Sequence, residues 1–203
     1  MKNPLSLRLL MFCILWILTI SVGIAMALRY ENTSGTAGAT SGHWPAVTQI
    51  ALDPVRDTLV MFGHPQCPCT RVSIDELNRV MSHTGGRLIA YILFLKPHNF
   101  PDSWVHTGLW QSASSIPGVI VQEDPEGSIA KKFGAETSGY TLLYDPRGRL
   151  LFHGGITSSR GHAGDNAGED AIIAFASGKD PGIHQTPVYG CWLHDNSVAQ
   201  SIP

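Results

Sequence analysis

Apolar and polar positions divide the chain into a leader, a tether and a folded remainder. An apolar run from Leu9 to Leu28 follows the cationic residues Lys2 and Arg8. A run of about 20 apolar residues is long enough to cross a bilayer as a helix. Cationic residues ahead of it predict an N-terminus inside and the rest of the chain outside. Ala25-Met26-Ala27 also fits the small-x-small pattern of a signal-peptidase site, so cleavage after Ala27 is the alternative. The run exceeds a signal core of about 7–15 residues, which favours an uncleaved anchor. Behind it, 31–42 (ENTSGTAGATSG) has the small, polar composition of a flexible tether. The expected organisation is a signal anchor or signal peptide over 1–29, a linker over 30–43, a folded domain over 44–180 and a tail over 181–203.

From Trp44 onward the apolar period alternates between that of strands and that of helices. The run 58–63 (TLVMFG) has the length and apolarity of a buried strand. Val72, Leu77, Val80 and Met81 give 70–82 the apolar face of a helix. After Gly85-Gly86, 87–94 (RLIAYILF) is apolar on both faces, as an interior parallel strand is. A helix over 104–115, a strand over 118–122 and a short helix over 128–133 follow. The segments 140–144 and 150–153 flank Asp145-Pro146-Arg147-Gly148 and predict an antiparallel hairpin. A Gly-rich loop over 154–168 leads to a final helix over 169–177, for which Asp165 and Asn166 are the candidate caps. Parallel strands joined by helices and closed by an antiparallel pair imply an α/β fold with one mixed sheet flanked by helices.

A chain of 203 residues, 43% apolar, accommodates one ordinary domain with appendages. The net charge of −2, with no block of like charges, gives no footprint for nucleic acid. Cysteine usage changes the picture more. Cys13 lies in the apolar leader, which leaves Cys67, Cys69 and Cys191 in an exported domain where disulfides persist. With three thiols, at most one intramolecular disulfide forms at a time and one thiol is left over.

Two of these cysteines lie in His64-Pro65-Gln66-Cys67-Pro68-Cys69-Thr70-Arg71, between a buried strand and a helix start. A helix N-terminus presents partial positive charge and free N–H groups, and both favour thiolate over thiol. Cys67 is therefore the candidate nucleophile, with His64 or Arg71 as candidate assistants. Cys69 is either its resolving partner or a metal ligand. A Cys-x-Cys disulfide closes a small, strained ring, and strain makes it easier to reduce, as suits an oxidant or isomerase. If the Cys69 side chain points away, Cys191 becomes the better partner. The tail carrying Cys191 is too short to fold alone, so packing back onto the domain is expected. As His-x-x-Cys-x-Cys, the residues His64, Cys67 and Cys69 also suit Cu(I) or zinc, though they supply only three ligands. No phosphate loop, nucleophile elbow or zinc-protease motif is present.

Over 44–180 the chain resembles the thioredoxin-like superfamily. Two stretches carry the resemblance. One is Phe62 followed by Cys67-Pro68-Cys69-Thr70-Arg71 and an amphipathic helix. The other runs from Asp124 through Gly134-Ala135 into Tyr140-Thr141-Leu142-Leu143-Tyr144-Asp145-Pro146-Arg147-Gly148-Arg149. The likeness is greatest to the membrane-anchored thiol-disulfide oxidoreductase and redoxin branch, with the bacterial RedB-type group as a narrower candidate. It implies exchange with a protein thiol or disulfide partner. The domain would sit on the periplasmic side of the bacterial cytoplasmic membrane, or in the periplasm after cleavage.

Two departures qualify what the resemblance implies. In a Cys-x-x-Cys register starting at Cys67 the resolving position falls on Thr70, so Cys69 comes one residue early. The family's disulfide reductases place a cis-proline before the Thr that opens the hairpin, and here Tyr140 precedes Thr141. That substitution leans toward peroxiredoxin-like or metal-handling relatives. Copper-delivery relatives place a His just before the hairpin, and 136–140 contains none. In such a sheet the second hairpin strand ends beside the cysteine loop, which brings Arg160 and His162 toward Cys67. A cation there lowers a thiolate pKa, and a His transfers protons or binds metal. In a thiol peroxidase reading, Cys67 would meet peroxide while Thr70 and Arg160 stabilise its oxygen.

Overall fold

The computed structural model describes residues 4–46 and 49–193. The chain forms two compact units that divide after Thr33. The first is dominated by α1 (Pro4–Glu31), whose segment Arg8–Glu31 reaches a mean hydropathy of 2.5. Its apolar side chains, Leu9, Phe12, Trp16 and Ile24 among them, are exposed along its length. A helix of this length and apolarity fits a membrane span or a signal segment.

The second unit is built on a five-stranded sheet. Its elements are β1 (Asp57–Gly63), α2 (Pro68–Thr84), β2 (Leu88–Lys96), α3 (Asp102–Val105), α4 (Gly108–Ser114), β3 (Val119–Pro125), α5 (Ser128–Phe133), β4 (Thr141–Tyr144), β5 (Leu150–Gly154) and α6 (Ala167–Ala176). The strand order is β3-β2-β1-β4-β5. β1, β2 and β3 are parallel, β4 runs antiparallel to β1, and β5 antiparallel to β4. Alternation along β1 sends side chains to opposite faces. Leu59 and Met61 pack with Ile74, Leu77 and Val80 of α2 and Ile172 of α6. Val60 and Phe62 pack with Ile129 and Phe133 of α5, and with Tyr140 and Tyr144. The mixed, helix-flanked sheet expected from the sequence is thus the one observed.

Three local differences have physical causes. α2 starts at Pro68, because a proline at the first helical position loses no hydrogen bond and already has helical φ. The expected helix over 104–115 is two helices, α3 and α4. The Thr107 hydroxyl accepts from the Leu109 N–H and so caps a new helix there. Of the two candidate caps for α6, Asn166 does the capping, accepting from the Glu169 N–H, while Asp165 pairs with Arg79.

The tail lies against the sheet unit along two stretches of backbone. Beside β5, His153 donates to the His184 carbonyl, and Thr186 and Gly155 donate to His153 and Pro187. Beyond that, Ser138 donates to the Cys191 carbonyl and Leu193 to that of Glu136. The close approach needs glycine: a Cβ on Gly155 would stand 2.6 Å from the Pro187 oxygen. Part of the Gly-rich loop is therefore a seat for the tail.

Candidate functional site

Cys67 is the N-cap of α2, with φ −89° and ψ 123°, and Pro68 occupies the first helical position. The N-cap side chain is the one toward which the N–H of the third helical residue turns. Here that residue is Thr70, whose N–H donates to the Cys67 carbonyl at 3.1 Å and favours the thiolate form of the nearby sulfur. The turn before the helix is closed by the Cys67 N–H donating to the His64 carbonyl at 3.1 Å. Cys67 is 1% exposed. On the α4 side it borders a groove lined by Pro65, Gln66, Arg71, Thr107 and Leu109.

A closed ring of hydrogen bonds fixes this turn. The His64 N–H donates to Ser138 Oγ at 2.9 Å, and the Thr70 hydroxyl donates to the His64 carbonyl at 3.0 Å. Ser138 and Thr70 Oγ are 2.7 Å apart, and since Thr70 has one hydroxyl proton, Ser138 is the donor between them. The Ser138 backbone N–H holds the Cys191 carbonyl at 2.8 Å. One serine, buried just before β4, thus ties the cysteine turn to the tail.

The Cys191 thiol lies 2.6 Å from Cys67 Sγ and donates to it. The Arg160 guanidinium donates to the Gly190 carbonyl at 2.7 Å and so holds the residue before Cys191. Charge is unevenly shared among the three sulfurs. Cys67 is held down to about 2, chiefly by the Cys191 thiol, then by the Cys69 thiol, with burial opposing and the Thr70 and Cys191 N–H groups adding. Cys69 and Cys191 are pushed up, first as donors to Cys67, then by burial and by its negative charge, while Arg160 acts against the rise in both. The negative charge therefore falls on Cys67, while Cys69 and Cys191 keep their own protons as donors to it.

The structure brings Cys67, Cys69, Cys191, Thr70 and Arg160 into one place, with roles partly different from those expected. Arg160 is seated on the Gly190 carbonyl, and its charge acts on Cys69 and Cys191. His162 is exposed, and its Nδ1 bonds the carbonyl of Arg160 in its own loop, while the N–H of the preceding Gly161 acts on Cys69. The Thr70 hydroxyl is committed to His64 and Ser138, so Thr70 acts on Cys67 through its backbone N–H. His64 accepts the Gln66 N–H at Nδ1, which puts the neutral ring's proton on Nε2, and its ring stands edge-on to Trp104. Burial pushes its pKa down, against the pull of the Cys67 charge. Ser138 and Gly190 had no signal in the sequence. Each is a small residue in a turn-like stretch, and its partner is remote.

The expected ligand set His64, Cys67 and Cys69 is not arranged around an ion. Among the described residues, no three His, Cys, Asp or Glu side chains form such a group. Two thiolates sharing a metal each stand about 2.3 Å from it. Tetrahedral ligands at that distance are nearly 4 Å apart, well beyond the 2.6 Å between Cys67 and Cys191. As they stand, Cys67 and Cys191 are too close to share an ion between them.

No family model and no curated protein matches the chain. Among solved structures, a hypothetical protein from Sinorhizobium meliloti is 22% identical with a TM-score of 0.59, covering 83% of this chain and 99% of that one. An uncharacterized conserved protein from Geobacillus kaustophilus is 15% identical with a TM-score of 0.58, covering 82% of this chain and 95% of that one. The exposed lipoprotein thioredoxin of Streptococcus pneumoniae is 16% identical with a TM-score of 0.44, covering 62% of this chain and 86% of that one. None of these likenesses assigns the RedB-type group. With three parallel strands, a closing antiparallel hairpin and a cysteine pair at the start of α2, the chain has a thioredoxin-like fold.

Proposed function

We propose that this protein is an exported, membrane-tethered thiol-disulfide exchange protein in which Cys67 is the nucleophile and Cys191 resolves. The carrying observation is the 2.6 Å approach of Cys191 to a Cys67 held as thiolate at a helix N-terminus. The Cys67 thiolate attacks one sulfur of a partner disulfide. A Cys67–partner bond forms, the partner S–S bond breaks, and one partner thiolate leaves. Cys191 then loses its proton and attacks the Cys67 sulfur, forming Cys67–Cys191 and releasing the second partner thiolate. The partner gains two electrons from the Cys67–Cys191 pair; one partner thiolate takes up the single proton that Cys191 loses, and the other is protonated from water. Run backward, the same steps oxidise a partner dithiol.

Arg160 supports this reading, since its charge favours the thiolate form of Cys191 and its hydrogen bond fixes Gly190 beside it. The apolar helix α1 supports tethering, and the cationic Lys2 and Arg8 ahead of it support placing the folded unit on the periplasmic side. Copper delivery draws on the same thiols and has less support, because Cys67 and Cys191 stand too close to share an ion and no group of three ligands forms among the described residues. Peroxide reduction has less support too, because the Thr70 hydroxyl is already bonded. The test is turnover of a protein disulfide by the full chain and by Cys67→Ser. Loss of turnover in the variant is expected, and retained turnover would sink the proposal.

A further inference from the structure

The tail does more than deliver a thiol. From His184 to Leu193 it lies as an extended strap whose backbone pairs with His153, Gly155, Ser138 and Glu136. Thr137 and Trp192 form an antiparallel bridge, so the strap runs beside 136–138 as an added strand would. The sulfur it presents at that point is the one against Cys67. Thr186 and His184 bond the Gly155 and Leu151 carbonyls and Gly35 donates to that of Val188, but the apolar side chains toward the cysteine are lightly held. Trp192 is 45% exposed, and Val188 and Leu193 are the strap's buried apolar anchors. Segments with few buried apolar contacts open at low free energy.

The seat also selects for what enters it. Gly190 lies so close to the Ser138 carbonyl oxygen that a Cβ there would collide with backbone, which cannot swing away as a flexible side chain can. The residue before the cysteine must therefore be glycine for the sulfur to reach Cys67 along this path. Arg160 grips the carbonyl of that same residue, a group every peptide possesses.

Resting on the exchange reading, we infer that the 136–138 edge is the seat for an extended partner segment carrying Gly-Cys, and that the strap is its tethered stand-in. In the dithiol state the strap opens and closes on its backbone hydrogen bonds. The Cys67–Cys191 disulfide holds it shut. When it is open, a partner's Gly-Cys segment pairs with Ser138 and Glu136 and places its own sulfur where that of Cys191 had been. Partner and strap compete for one site, so strap opening gates access to Cys67.

The test uses full-length Cys191→Ser protein and two peptides, VYGCWL and VYVCWL, each activated as a mixed disulfide with a small aromatic thiol. The Cys67 thiolate attacks the peptide sulfur, a Cys67–peptide disulfide forms, and the aromatic thiolate leaves and is counted. At least tenfold faster reaction of the glycine peptide is expected, and equal rates would overturn the proposal. In the otherwise native chain, Gly190→Ala should lift the strap and raise the alkylation rate of Cys67 at least tenfold; an unchanged rate would overturn the gating. The symmetric disulfide of the aromatic thiol separates the two levels. If Cys67 reacts with it while the peptides do not differ, the seat alone is wrong. If Cys67 reacts with none of the three, the exchange reading falls with it.

Discussion

Cys67 and Cys191 are 124 positions apart in the sequence and 2.6 Å apart at sulfur. That approach is made by the strap, by Arg160 on the Gly190 carbonyl and by Ser138 on the Cys191 carbonyl. It pairs the thiolate of the site with a proton-bearing thiol, which is the arrangement a resolving step begins from.

The disulfide of the oxidised protein should accordingly join Cys67 to Cys191 and leave Cys69 free. Peptide mapping of unreduced protein with Cys69 alkylated is the check, and a Cys67–Cys69 bridge would contradict it. Closing so long a loop is worth about 4–5 kcal/mol on chain-entropy grounds. Reduction should therefore lower the midpoint of thermal unfolding by several degrees, and Cys191→Ser should remove the difference between oxidised and reduced samples.

Replacing Arg160 with Met keeps much of its bulk and removes its charge. The Arg160 charge works against the upward displacement of both Cys69 and Cys191. Its loss should raise both further, and one unit is a factor of ten in thiolate at a given pH. Resolution of a preformed Cys67 mixed disulfide should slow about tenfold at neutral pH, with its pH profile moved upward. Arg160→Lys should recover part of the rate. An unmoved profile in the Met variant would show that the charge does not act on the resolving thiol.

Ser138 carries three partners on one small side chain and its backbone. Ser138→Ala leaves the part-buried His64 N–H without its acceptor and breaks the ring through Thr70. An unsatisfied buried group costs about 1–3 kcal/mol. Denaturant unfolding should show a loss of that size with an unchanged slope. Cys67 alkylation should shift toward higher pH, because the Thr70 N–H that favours the thiolate is no longer fixed.

A buried carboxylate pair makes stability depend on pH. Glu76 and Glu169 are 1% and 3% exposed, and each has one oxygen without a hydrogen-bond partner. Arg79 reaches both, while Asp165 competes for its guanidinium and Gly164 donates to Glu76. Burial, then Glu76, lifts Glu169 from 4.5 to about 7, with Arg79 and His83 opposing. Between those values the folded chain binds the proton and the unfolded chain does not. Stability is therefore full below about 4.5 and is lost as pH rises through about 7. Glu169→Gln imitates the protonated form and should flatten that slope. A slope that persists in the variant would mean that another group produces it.

Much of the fold was legible because its signals are local. The two-sided apolarity of 58–63 and 87–94 marks interior strands, and Asp145 to Gly148 marks the hairpin turn within four residues. Thr107 was missed because a hydroxyl that caps a helix looks the same in sequence as one within a helix. The site was most legible on α2, where Pro68 and the flanking cysteines sit at one helix start, while Cys191 and Arg160 were legible as candidates without their partners.

The amino-acid sequence by itself determined the apolar leader, the order of strands and helices, and a cysteine pair where a helix begins. Each is written in runs of a few residues, through period, turn chemistry and the fixed φ of proline. Tertiary structure alone decided which thiol faces Cys67, what Arg160 grips, and that Ser138 joins the parts. Those contacts depend on β4 lying beside β1, which sets the 136–138 stretch next to the cysteine turn, and on a strap whose docking is mostly backbone pairing. Backbone pairing leaves little mark on side-chain identity, save for glycines such as Gly155 and Gly190 where no Cβ fits.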